Sequence, residues 1–253
     1  MTLFLLILFF SLVGGLFSLV GGLVLLWKGE KIQEFFIHLL SFAAGAILAT
    51  AFLDLLPEAV ETGLAAERVF LWMFGAFVVS FLGEGLFLRF HHHDTGSRLS
   101  SAPWMLTVSD SLHNFFDGVA IATAFVVNVP LGIVTAIAVA AHEIPQEMGD
   151  FSVMLNAGWK KSRVLLANVI SSLLTVVGAL LAFAFRETIE QYAGFFLAMT
   201  AGIFFYIGAS SLIPELYHST RRDKLTHVTL LFLLGIAVVA LLLTLLRDVA
   251  QIE

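Results

Sequence analysis

Residues 113–150 read HNFFDGVAIATAFVVNVPLGIVTAIAVAAHEIPQEMGD, two apolar arms with a polar cluster at each far end and the short turn Asn128-Val129-Pro130 between them. A turn this short makes the two arms antiparallel helical neighbours. At about 1.5 Å of rise per residue, positions equally far from Val129 lie at equal depth. Asp117 is then level with His142, Asn114 with Glu143 and His113 with Gln146. On the first arm Asp110, His113, Asn114 and Asp117 follow i, i+3, i+4, i+7 spacing and share one helix face. On the second arm Glu143, Glu147 and Asp150 repeat that spacing, with His142 and Gln146 in the adjoining row. Two polar stripes therefore face each other across the pair.

The surroundings of these stripes are greasy. Hydrophobic residues make up 59% of the chain and charged ones 13%, and the mean hydropathy is +0.98. That balance belongs to an integral membrane protein rather than to a soluble one. Apolar runs of spanning length fall at 2–26, 35–57, 68–90, 103–127, 131–155, 162–184, 191–213 and 226–246. The expected fold is all-α, a polytopic membrane protein of eight transmembrane helices in a single domain covering residues 1–253. The first run has no basic segment before it and is too long for a signal peptide, so it is expected to stay in the mature protein. Joints 1–2, 3–4, 5–6 and 7–8 carry 2, 2, 3 and 3 lysines and arginines, whereas the opposite side has Arg68, Arg186 and Arg247. That asymmetry predicts a multi-pass protein of the cell membrane with both termini outside. A net charge of -6 without a basic run excludes a nucleic-acid surface.

An internal repeat is also visible. Ala44-Gly45 precedes Leu55-Leu56-Pro57-Glu58 in the second run, Ala201-Gly202 precedes Leu212-Ile213-Pro214-Glu215 in the seventh, and glycine and proline are twelve residues apart in both. The two runs are five spans apart and so point in opposite directions. The pattern predicts an inverted repeat of helices 1–3 and 6–8 around helices 4–5, an architecture of secondary transporters.

Ionisable groups at a bilayer centre cost on the order of 2.5–3.5 kcal/mol each, and neither central arm holds a lysine or arginine to pair with them. The candidate counter-charges are protons or bound cations, and imidazole beside carboxylate favours a divalent metal. Without cysteine, any metal is held by nitrogen and oxygen, which suits Zn²⁺, Fe²⁺, Mn²⁺ or Cd²⁺ rather than Cu⁺. His113 and Asp117 reach one ion from the fourth helix, and His142 and Gln146 approach it from the fifth. Asn114, Glu143 and Glu147 are then placed to build a second, adjacent site. Pro145 leaves the carbonyl of Ala141 without its helical donor at the same level.

HNFFDG together with HEIPQEMGD resembles the paired motifs of the ZIP family of divalent metal transporters, which read approximately HNxxDG and HExPHExGD in one large subfamily. The resemblance runs over the whole chain. It implies transport of zinc, with iron, manganese and cadmium as further candidates, no prosthetic group, and a homodimer. It also implies a primary site from His113, Asp117, His142 and Gln146 and a second from Asn114, Asp117, Glu143 and Glu147. Gln146 departs from the subfamily, which usually has histidine there.

Asp54 and Glu58 end the second run on the outer side and are entrance candidates. Asp110 and Asp150 lie below the central cluster, and Glu215 and His218 end the seventh run on the inner side; these are exit candidates. His91-His92-His93 in the 3–4 joint suggest a loose metal or sensing function. Two alternatives remain at this stage. An intramembrane zinc hydrolase would use His-Glu-x-x-His, but His142-Glu143-Ile144-Pro145-Gln146 lacks the second histidine. A proton-conducting or metal-sensing membrane protein needs the same cluster without moving metal.

Overall fold

A computed structural model describes residues 2–28, 33–91, 98–220 and 224–250. His92, His93 and Asp94 lie outside the described residues. The described residues are almost wholly helical, with the elements α1 (Leu3–Leu16), α2 (Leu19–Lys28), α3 (Gln33–Thr50), α4 (Leu56–Glu61), α5 (Ala66–His91), α6 (Arg98–Val127) and α7 (Val129–Asn156). They continue with α8 (Lys161–Ala184), α9 (Arg186–Gln191), α10 (Ala193–Tyr206), α11 (Ile213–Ser219) and α12 (Leu225–Ala250). The protein is an all-α polytopic membrane protein.

Seven stretches among the described residues are long and apolar enough to cross a bilayer: Leu3–Trp27, Phe36–Glu61, Ala66–Gly83, Val129–Leu155, Lys161–Ala184, Ala193–His218 and Leu225–Leu245. The missing member of the expected eight is α6. Its 30 residues extend about 45 Å, ample for a bilayer, but the polar face from Asp110 to Asp117 keeps it below the hydropathy of the others. That polar face is buried against α7 and α8, so its cost falls on protein contacts rather than on lipid.

Two contacts fix α6. Just past its C-terminal end Asn128 takes an extended conformation, and its side-chain oxygen accepts from Leu131 N at 2.8 Å, which caps α7. The amide nitrogen of the same residue donates to Glu58 Oε1 of α4 at 2.9 Å, tying the tip of the α6–α7 hairpin to the end of the second span. In mid-helix, Gly118 lies directly over the carbonyl of Thr175, and Gly178 lies over that of Phe115. A Cβ at either position would strike backbone, so this reciprocal pair of glycines sets how closely α6 and α8 cross.

The spans Phe36–Glu61 and Ala193–His218 share a distortion that their sequences only hint at. Between α3 and α4 the backbone widens into a π-helical turn at Ala51–Leu55, and between α10 and α11 it does so at Ile207–Leu212. Each turn is followed by a proline in the first two positions of the next helix, Pro57 or Pro214. The two glycines of the repeat also match: Gly45 packs on the Phe232 carbonyl of α12, and Gly202 on the Met73 carbonyl of α5. Residues 45, 57 and 58 correspond to 202, 214 and 215 in both sequence and local structure.

Candidate metal centre

The polar faces of α6 and α7 meet in the buried interior. His113 Nε2 lies 3.2 Å from His142 Nε2, 3.3 Å from Glu143 Oε1 and 3.7 Å from Asp117 Oδ2. His142 Nε2 lies 3.1 Å from Asp117 Oδ2 and 3.6 Å from Glu143 Oε1. One ligand atom from each of the four residues falls within 4.8 Å of all the others. In a tetrahedral Zn²⁺ shell with bonds of about 2.05 Å, neighbouring ligand atoms stand about 3.3 Å apart. The five separations bracket that edge length.

The hydrogen bonds around the cluster orient it. His142 Nδ1 donates to the carbonyl of Ala138 at 2.9 Å, so a neutral imidazole turns its bare Nε2 lone pair toward the carboxylates. His142 and Glu143 are fully buried and Asp117 is 1% exposed, while His113 keeps 20% of its side chain accessible. Two imidazoles and two carboxylates converge here with no described lysine or arginine among them, a donor set that could hold a divalent cation.

The remaining candidates divide into neighbours of this cluster and residues apart from it. Gln146 donates from its amide nitrogen to Asp110 Oδ1 at 3.4 Å. Asn114 is held on both ends, donating to Asp110 Oδ1 at 3.2 Å and accepting from Thr175 Oγ1 at 2.8 Å. Glu147 accepts from Ser172 Oγ at 2.8 Å through Oε1, and Oε2 has no hydrogen-bond partner. Asp110 also receives the hydroxyl of Ser171. Asp150 is buried, with Oδ2 unbonded. Asp54 is buried within the first π-turn, and Glu58 is engaged by Asn128. Glu215 and His218 are exposed on α11, outside the cluster.

The contribution of α8 was not anticipated. Asn168, Ser171, Ser172 and Thr175 are buried, and the three hydroxyls among them hold Asp110, Asn114 and Glu147 from the third side. Their spacing is i, i+3, i+4, i+7, the same as that of the α6 stripe, and this was the available signal.

Comparison with known proteins agrees with this picture. Residues 90–243 match the family model described as ZIP zinc transporter. The chain is 35% identical over 125 residues to Zinc transporter ZIP10 of Danio rerio, covering 49% of this chain and 15% of that protein. It is 35% identical over 129 residues to Zinc transporter foi of Drosophila melanogaster, covering 51% and 18%. It is 37% identical over 128 residues to Metal cation symporter ZIP14 of Bos taurus, covering 51% and 26%. The matched segment thus spans between about a seventh and a quarter of these relatives' length. With a paired-motif centre on α6 and α7 and a family match over more than half of its residues, the chain belongs to the ZIP zinc transporter family.

Proposed function

We propose that the protein carries divalent transition-metal cations, zinc foremost, across the cell membrane into the cytoplasm. The observation that carries this reading is the set of four converging ligand atoms on His113, Asp117, His142 and Glu143, spaced for a small tetrahedral cation. Asn114, Gln146 and Glu147, each within a turn, serve a second ion or the passage of the first. The names of the relatives, which include zinc transporters and a metal cation symporter, support the same substrate class.

The ion loses most of its water on reaching this site, and the two imidazoles and two carboxylates replace it. Movement then requires that the site face each side in turn. The paired π-turns and prolines of the second and seventh spans, together with the matched packing of Gly45 and Gly202, support an inverted repeat as the moving framework. In this reading Asp54 and Glu58 form the entrance, and Asp110, Asp150, Glu215 and His218 the exit. Both termini lie outside, α6 completes eight spans, and the protein works as a homodimer in which each 1–253 chain is one transport domain. No phosphate-binding glycine loop is present in the sequence, in keeping with transport that does not use ATP.

The deciding experiment is uptake of Zn²⁺, Fe²⁺, Mn²⁺ and Cd²⁺ by proteoliposomes containing the purified protein. Saturable uptake that zinc competes for supports the proposal. Tight metal binding without uptake of any of the four overturns transport and favours a sensing function.

A further inference from the structure

Three of the chain's four tryptophans lie at one end of the bundle, on three different elements. Trp27 closes the span Leu3–Trp27, Trp104 stands in the first turns of α6, and Trp159 occupies the joint between α7 and α8. The rings of Trp104 and Trp159 pack edge to face at 5.1 Å, and the Arg163 guanidinium lies over both, 4.9 Å and 4.1 Å from their centres. Lys161 Nζ donates to the carbonyl of Leu26 at 3.2 Å, which brings the last turn of α2, and with it Trp27, to the same place. Phe151, Met154 and Val164 are fully buried beneath and give the cluster a packed floor. Its outer surface is open. Lys160, Lys161 and Arg163 are exposed, as are Trp27 at 81% and Trp104 at 53%. Among the described residues no carboxylate pairs with any of the three cations, and the sequence has no aspartate or glutamate from Phe151 to Phe185.

From this cluster we infer that Lys160, Arg163 and the indoles of Trp104 and Trp159 form a binding site for the phosphodiester headgroup of an anionic phospholipid of the phosphatidylglycerol class. Depth selects the ligand. The span Leu3–Trp27 ends here and the span Lys161–Ala184 begins here, so the cations stand at headgroup level and the exposed indoles at the boundary with the acyl chains. Charge selects it further, because a basic group without carboxylates, on a chain whose net charge is -6, is a local feature and complements a phosphodiester. The two rings hold Arg163 by cation–π attraction without neutralising it. Its planar fork is therefore held in place before the phosphate arrives, and a guanidinium pairs with two phosphate oxygens at once. The bound lipid would tie α2, α6 and α8 together and stabilise the folded protein by mass action. In the topology proposed above it belongs to the inner leaflet, but binding requires neither that orientation nor transport.

The test is native mass spectrometry of the full chain in a neutral detergent, titrated with phosphatidylglycerol or with phosphatidylcholine of the same acyl chains. The unaltered protein is expected to retain phosphatidylglycerol with a preference of about tenfold or more. Arg163→Gln and Lys160→Gln should each weaken that binding about fivefold, and Arg163→Lys, which keeps the charge but loses the fork and the stacking, should also weaken it. Arg68→Gln removes one exposed cation from a different joint and should change nothing. Inorganic phosphate should not displace the lipid. Size exclusion checks the fold of each variant, and Lys160→Gln, on an exposed side chain, keeps the test decisive if Arg163→Gln aggregates. Equal retention of the two lipids overturns the inference, as does undiminished phosphatidylglycerol binding in the folded variants at 160 and 163. An equal loss in Arg68→Gln overturns it in favour of diffuse surface charge, and displacement by inorganic phosphate overturns it in favour of a site for free anions.

Discussion

The Nε2 atoms of His113 on α6 and His142 on α7 face each other at 3.2 Å. Each is also within 3.7 Å of a carboxylate oxygen of Asp117 and of Glu143. Ala138 accepts a proton from His142 at Nδ1, so in that tautomer Nε2 turns a lone pair toward the centre. With both imidazoles neutral, a cation at their centre would gather these four ligand atoms into one coordination shell.

Removing a ligand should therefore abolish binding without undoing the fold. Asp117→Ala and His113→Ala each leave three of the four atoms, and a loss of affinity for zinc of at least about a hundredfold is expected, with metal uptake collapsing in parallel. Isothermal titration with Zn²⁺ and a thermal melt in detergent check both halves. Near-normal zinc affinity in both variants would show that the ion is held elsewhere.

The hydroxyls of α8 act through the residues they hold. Ser172→Ala leaves Glu147 Oε1 without its 2.8 Å donor, and Thr175→Ala removes the donor to Asn114 Oδ1. Each should cost about 1–3 kcal/mol of stability, because a buried acceptor is left unpaired, and should change metal selectivity more than a distant Ser→Ala does. Thermal unfolding and competition between zinc and manganese measure the two effects. Unchanged values in both would mean that α8 is only a wall.

Glycines offer a test of packing that is independent of the metal. Gly118→Leu or Gly178→Leu forces a side chain into the facing backbone of α8 or α6 and should destabilise by about 1–3 kcal/mol or more, visible as aggregation on size exclusion. Gly75→Ala, where a Cβ meets nothing within 4 Å, should elute as the unaltered protein does.

Much of this centre was legible in the sequence, and the limits of legibility are physical. Counting from the turn at Val129 put Asp117 level with His142, and the two meet at 3.1 Å. The same count put His113 level with Gln146, yet His113 lies against His142 and Glu143 while Gln146 serves Asp110. Depth follows from rise per residue, but partners also depend on rotation about each helix axis, which the turn does not fix. The Ser171-Ser172-Thr175 face was hidden because uncharged hydroxyls barely alter the hydropathy of a span. The π-turns were hidden too, since a proline after an apolar run is compatible with an ordinary α-helical start as well as with a widened turn.

Topology is tested most directly by labelling. The chain has no cysteine, so a single one introduced at Thr62 or at Thr220 reports alone. The lysine and arginine distribution predicts that an impermeant thiol reagent reaches residue 62 from outside intact cells and residue 220 only after permeabilisation. Labelling of both from one side would contradict the odd number of spans between them and, with it, the inverted repeat.

Gln146 is the position where the sequence departs from the subfamily motif and where the structure assigns a different partner. Its amide donates to Asp110 at 3.4 Å, on a carboxylate that also takes Asn114 and Ser171. Histidine at 146 has similar bulk and sits one turn from His142, so its ring has two choices. It can keep the donor contact to Asp110, or it can rotate toward His113 and add a third nitrogen to the cluster. Nitrogen ligands favour zinc over manganese, so the second choice should raise the zinc-to-manganese affinity ratio by on the order of tenfold. Tighter binding also slows release, and turnover should fall as affinity rises. We expect this outcome for Gln146→His, because the cost of freeing Asp110 is reduced by its two other donors. Competitive binding and uptake with both metals, in the unaltered and variant proteins in the same vesicles, provide the measurement. An unchanged ratio would confine residue 146 to supporting Asp110 and leave the ion to His113, Asp117, His142 and Glu143.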